Sequence, residues 1–76
     1  MNLYLLSQNS NDDFDSYNFC VVCAKDEEDA KTISPDNGVF EENKNYGLWV
    51  KTKDLIFCEK IGKASIHLKR GVIVAG

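Results

Sequence analysis

The sequence predicts an α+β domain: a mostly antiparallel four- to five-stranded sheet in the order β-β-α-β-β-β, with one short helix packed on one face. Three observations carry that expectation. Several short runs rich in Val, Ile, Phe and Tyr are each bounded by polar or glycine-containing stretches, the pattern of strands. Only one stretch, DEEDAKTISP, has the start and stop signals of a helix. Finally, 76 residues are enough for one core, so residues 1–76 are expected to form a single compact domain.

Taken in order, NLYLLS is too short an apolar run for a helix and reads as the first strand. QNSNDD is a loop by composition. SYNFCVVCAK is the strongest strand. Tyr17, Phe19, Val21 and Cys23 point to one side, with Asn18, Cys20, Val22 and Ala24 on the other. Both sides are largely apolar, as in a central strand covered on at least one face. In DEEDAKTISP, Asp26 is a natural N-cap, acids fill the first turn, and Asp29 stands where a capping-box partner belongs. Ala30 and Ile33 supply the buried stripe and Pro35 ends the helix after two to three turns. PDNG then turns, with Gly38 suited to positive φ. GLWVK reads as a strand, TKD as a turn, LIFCEKIG as a strand, ASIHLKRG as a connection and GVIVAG as a last strand.

Cys20 and Cys23 form a C-x-x-C pair, a spacing used in redox disulfides and zinc sites. On a strand, however, residues three apart face opposite sides, and three steps of about 3.3 Å separate the sulfurs by about 10 Å. A disulfide needs Cβ atoms about 4 Å apart, and tetrahedral zinc needs similar proximity. The pair therefore reads as buried cysteines. A structural zinc site of Cys20, Cys23, Cys58 and His67 stays as an alternative. The alternation Asn9, Asn11, Asp13, Asp15 starts like a calcium loop, but Phe14 stands where glycine is required and Cys20 where glutamate is. No nucleophile motif surrounds His67, and no phosphate-binding glycine loop is present. The expectation is a protein that is not an enzyme, with no catalytic residues, cofactor or metal.

Charge is distributed unevenly. Residues 1–42 carry ten acids against Lys25 and Lys31, a net of −8, while residues 43–76 carry Asp54 and Glu59 against seven bases, a net of +5. The halves can complement each other on folding, or an acidic face can meet a basic partner. On the second reading the contact surface combines Asp12, Asp13, Phe14 and Asp15 with the helix start, Asp26, Glu27, Glu28 and Asp29, and with Glu41 and Glu42. Lys51, Lys53, Lys60, Lys63, Lys69 and Arg70, near Tyr46 and Trp49, form the alternative, a basic aromatic-studded surface for single-stranded nucleic acid. The negative net charge and the missing RNA-binding signature argue against direct nucleic-acid binding. No apolar run approaches the ~18 residues of a membrane span and no signal peptide is evident, so no membrane association and a cytoplasmic location are expected. The odd number of cysteines fits a reducing compartment. A homodimer is also open, since an apolar GVIVAG strand at a sheet edge promotes association.

The runs YLLSQ, VVCAKDEEDAKTI, the Trp49 segment, IGKA and GVIVAG together resemble a layout found in small bacterial and phage α+β proteins. The shared motifs cover most of the chain but are structural, and they transfer no catalytic residue. By context the chain is also similar to the small acidic inhibitors that phages use against host defences, anti-CRISPR proteins among them. That resemblance implies a non-enzymatic protein that occupies a surface on a host protein or ribonucleoprotein complex in the bacterial cytoplasm. Its acids would stand in for phosphates there.

Overall fold

The computed structural model describes residues 1–10, 15–43 and 48–76. Four strands are present among them: β1 (Asn2–Ser7), β2 (Phe19–Ala24), β3 (Phe57–Lys63) and β4 (Gly71–Ala75). They form one sheet in the order β3-β1-β2-β4, with every neighbouring pair antiparallel. One helix, α1 (Glu27–Ala30), and a 3-10 turn at Lys53–Leu55 complete the regular structure. The fold is consistent with α+β, but it is mostly sheet.

Side-chain alternation divides the sheet into two unlike faces. Tyr4 and Leu6 from β1, with Cys20, Val22 and Ala24 from β2, point to the covered face. There they meet Ala30, Ile33, Phe40, Trp49, Val50 and Ile56, supplied by α1 and by the long connection from α1 to β3. Trp49, Leu6, Ile33 and Val22 are fully buried and are the largest contributors to this core.

Two elements depart from the sequence expectation, each for a physical reason. GLWVK is not a strand among its described residues, 48–51. Trp49 and Val50 are consecutive and both fully buried in the same core, which alternation along a strand forbids. The helix stops after one turn. The Thr32 N–H donates a tighter turn bond to Asp29 O at 3.1 Å, and its hydroxyl donates to the same carbonyl at 2.6 Å. A threonine side chain competing for backbone carbonyls is a poor helix continuation. The N-terminal prediction fares better: Asp26 caps α1, accepting from the Asp29 N–H at 2.8 Å. Asp29 reaches back to the N–H of Lys25, one residue before the expected capping-box partner.

β3 and β4 lie at opposite edges, so the 64–70 connection crosses the end of the sheet past the start of β1 and the end of β2. Three strand spacings are about 14 Å, well within the reach of seven residues. The Ala64 N–H bonds Met1 O at one end of this connection, and Gly71, at φ +138°, turns it into β4 at the other. That φ is open to glycine and costly for other residues. Both edge ladders carry a register shift, opposite Leu3/Tyr4 in β3 and opposite Val21/Val22 in β4. The residues left over are Ile61 and Ile73.

Neighbouring residues in β1 test the assignment of faces. Leu6→Ala should cost about 2–5 kcal/mol, as for a fully buried leucine. Leu5→Ala, on the other face, should cost about 1 kcal/mol or less. Urea denaturation followed by the fluorescence of Trp49, the single tryptophan, measures both.

Candidate functional site

The second face of the sheet can be built directly from the strand registers, because directly opposed residues share a face. One row runs Phe57–Ser7–Phe19, the next Glu59–Leu5–Val21–Val74, and the third Gly62–Leu3–Cys23–Gly71. Leu3, Leu5 and Val21 are only half-buried, and Phe19, Phe57 and Val74 are 38%, 58% and 50% exposed. The helix and the connection that cover the first face contribute none of their core residues here. The phenyl ring of Phe19 lies over the backbone at Gly76, where a Cβ would sit 2.7 Å from the ring. The result is a nearly continuous apolar surface interrupted by Ser7 and, toward the β3 edge, by Glu59. Four strands and three rows span on the order of 300–400 Å². That is the size of the largest apolar patch on a typical monomer, a kind of patch that is often functional.

The expected acidic surface is divided. Asp12, Asp13 and Phe14 lie outside the described residues. Asp15 is exposed just before β2, whereas Asp26, Glu27 and Glu28 are exposed just after it. Six residues of strand separate these two positions by about 20 Å. Glu41 and Glu42 are exposed beside the other end of α1, since the Phe40 N–H bonds Thr32 O at 2.9 Å. Asp29 is different: its carboxylate is only 14% exposed and receives a two-pronged bond from Arg70, with Nε at 3.0 and 3.1 Å and Nη2 at 2.8 Å. Arg70 Nη2 also donates to the Thr32 hydroxyl. That contact joins the acidic half to the basic half, as the complementary-charge reading expects. A shallow open depression beside it, of about 330 Å³, is lined by Lys25, Asp26, Glu28, Asp29, Thr32 and Lys53.

The potential metal ligands do not converge. Cys20 and Cys23 occupy opposite faces of β2. Cys20 and Cys58 share the covered face but flank Leu6 on either side, two strand spacings or about 10 Å apart. His67 is exposed in the 64–70 connection, and its N–H bonds the Ser65 hydroxyl. Among the described residues no group of three or more His, Cys, Asp or Glu side chains is placed to hold a metal ion. Burial pushes the Cys20 thiol up to about 12. Burial also raises Cys58, helped by the negative charge of Glu27. Cys23 is buried on the other face, its thiol 4.0 Å from Met1 Sδ.

The basic residues expected to bind nucleic acid are likewise dispersed. Trp49 is fully buried and offers no stacking surface, and Tyr46 lies outside the described residues. Lys53 sits 6.0 Å from the Phe40 ring centre and Arg70 is held by Asp29. Lys60 and Lys63 remain exposed on edge strand β3, with Lys69 exposed before β4. No described helix is long and apolar enough to cross a membrane. No family model, curated protein or solved structure was found to match this chain.

Two measurements test this geometry. The Cys20 thiol should be the slowest of the three to react with a thiol reagent near pH 8 in the folded protein, with all three reacting in denaturant. Peptide mapping of the labelled protein reads the order. The Arg70 hydrogen bonds hold the Asp29 carboxyl below its usual range. A depressed folded-state pKa contributes stability that is present above the unfolded value of about 3.9 and is lost as pH falls through the lower folded value. Asp29→Asn should therefore lower stability at neutral pH by about 1 kcal/mol or less, the exposed guanidinium being screened by solvent. It should also flatten the loss of stability between about pH 5 and pH 2. Urea midpoints across that range give the comparison.

Proposed function

We propose that this chain is a non-enzymatic protein-binding module that meets its partner through the apolar face of its sheet opposite α1. The observation that carries this reading is the row structure of that face: Leu3, Leu5, Val21, Phe19, Phe57 and Val74 lie together, away from the domain's own core. Leaving such a surface in water forgoes roughly 25 cal/mol for each Å² of apolar area. Covering it with a partner recovers that term. The dispersal of the cysteines and His67 supports a binding role over a chemical one.

The finer reading is an inhibitor, of the phage-encoded kind the sequence resembles, acting on a host nucleic-acid-handling complex in the bacterial cytoplasm. Exposed Glu27, Glu28, Glu41 and Glu42 support it, because they lie on the α1 side and could face a basic channel while the sheet face anchors elsewhere. α1 and the apolar face are on opposite sides of the sheet, so one flat partner surface reaches only one of them. Anchoring is assigned to the apolar face, since exposed carboxylates steer association more than they hold it. A second reading rests on Phe19 and Phe57, which flank Ser7 in one row as exposed aromatics, although Lys60 and Lys63, opposite Tyr4 and Asn2, lie on the other face of the sheet. Such a platform stacks single-stranded bases.

One affinity experiment separates these. Immobilised protein is exposed to bacterial lysate with and without nuclease, and retained proteins are identified by mass spectrometry. Phe57→Asp should abolish capture of a nuclease-resistant partner, while the folded Glu27→Lys/Glu28→Lys variant retains it. Retention by folded Phe57→Asp, with loss in the glutamate variant, would overturn the sheet-face assignment in favour of the acidic side. Capture that vanishes with nuclease and weakens steeply with salt would establish the nucleic-acid reading instead.

A further inference from the structure

The apolar face is about half the size that a specific protein–protein contact buries on each partner, roughly 800 Å². The sheet edges offer the means to enlarge it. An edge strand with unpaired backbone groups recruits another strand unless charge, proline or distortion prevents it. Both edge ladders carry a register shift, and the two edges differ in charge. β3 carries Glu59, Lys60 and Lys63, charges that protect an edge. β4, Gly71–Ala75, carries none, and Val72, Ile73 and Val74 are 39%, 45% and 50% exposed.

Resting on the protein-binding reading above, we propose that β4 is the pairing edge for a second copy of this chain. The two β4 strands run antiparallel about a two-fold axis near Ile73 and join two sheets into one of eight strands. The sequence of β4 is compatible with itself in that arrangement. With the axis between Val72 and Ile73, Gly71 of each copy faces Val74 of the other on the apolar side, and no like charges meet across the ladder. The flanks are complementary. Antiparallel pairing brings Lys69, which precedes β4 in one copy, to the end of β4 in the other. That end is bonded to the segment before β2, the Asn18 N–H donating to Gly76 O at 2.7 Å, and exposed Asp15 lies three residues away. Symmetry makes this Lys69–Asp15 approach twice. Pairing also makes the apolar faces of both copies contiguous, doubling the face to the roughly 800 Å² of a standard contact. The register shift at Ile73 keeps the ladder short, so the association is a concentration-dependent equilibrium.

Sedimentation velocity of the full chain over a concentration series tests the pairing. Dimer should accumulate with concentration in the wild type. Ile73→Lys should remain monomeric throughout, with far-UV circular dichroism and Trp49 fluorescence confirming its fold. Lys69→Glu should weaken the dimer about tenfold through two lost symmetric contacts, and combining it with Asp15→Lys should restore it. The charge exchange keeps the test decisive if Ile73→Lys fails to fold. A wild-type protein monomeric at every concentration overturns the pairing, as does a dimer insensitive to both Ile73→Lys and Lys69→Glu. Phe57→Asp, at the far edge, should leave the dimer intact while losing the captured partner. Monomeric wild type that still captures a partner through Phe57 therefore overturns the pairing alone and leaves the sheet-face reading in place.

Discussion

Because side chains alternate along a strand, each residue that β1 and β2 bury on one side commits its neighbour to the other. Leu6 and Val22 enter the core, so Leu5 and Val21 cannot. A stable sheet needs a layer against each apolar face, and the described residues supply one. That layer is unusual in composition, a single helical turn followed by a long connection that is mostly irregular. It succeeds because its bulky residues, Ile33, Phe40, Trp49, Val50 and Ile56, all converge on the same side. The opposite face inherits apolar side chains that, Cys23 beside Met1 excepted, stay half-buried or exposed among the described residues. Everything functional proposed for this domain follows from that imbalance.

The same constraint explains why Arg70 matters to the architecture. β4 is reached only by a chain segment that crosses the end of the sheet, where few apolar contacts are available to hold it. Arg70 anchors the segment from its last residue, gripping the Asp29 carboxylate with two nitrogens and the Thr32 hydroxyl with one of them. Asp29 also orders the entry to α1 through the Lys25 N–H. One carboxylate thus couples the helix start to the edge strand. A planar, two-pronged guanidinium suits that role better than the point charge of a lysine. The opposed charges of the two halves of the chain are used here within the domain, while Glu27 and Glu28 remain at the surface.

Much of the sheet was legible in the sequence. NLYLLS matches β1 to the residue, and the cores of β2, β3 and β4 fall inside the expected runs. The divergence of Cys20 and Cys23 followed from strand periodicity alone. Trp49 misled because a β-favourable residue in an apolar run reads as strand, whereas tertiary burial of both Trp49 and Val50 decides the backbone there. The short helix was overextended for a similar reason, as Thr32 carries a hydroxyl whose competition for the Asp29 carbonyl is invisible to a hydrophobic pattern. The candidate surface was missed although its signal was present. Leu3 and Leu5 alternate with Tyr4 and Leu6, so both sides of β1 are apolar, and a single short helix cannot cover two sides. Charge drew attention to the acids, of which the described Asp15 precedes β2 while Asp26, Glu27 and Glu28 follow it.

The contrast between the two edges turns this excess of apolar surface into a directional property. An uncovered face alone attracts any apolar surface and sets neither orientation nor stoichiometry. An edge ladder sets both, because backbone hydrogen bonds form only in discrete registers and a two-fold pairing closes on itself. β3 is charged and β4 is not, so extension through β4 consumes the one permissive edge and leaves charged edges outermost on both sides. A sheet completed in this way stops growing at eight strands. Its enlarged face still lies open to one further partner, which is the condition a binding module needs and an aggregating strand lacks.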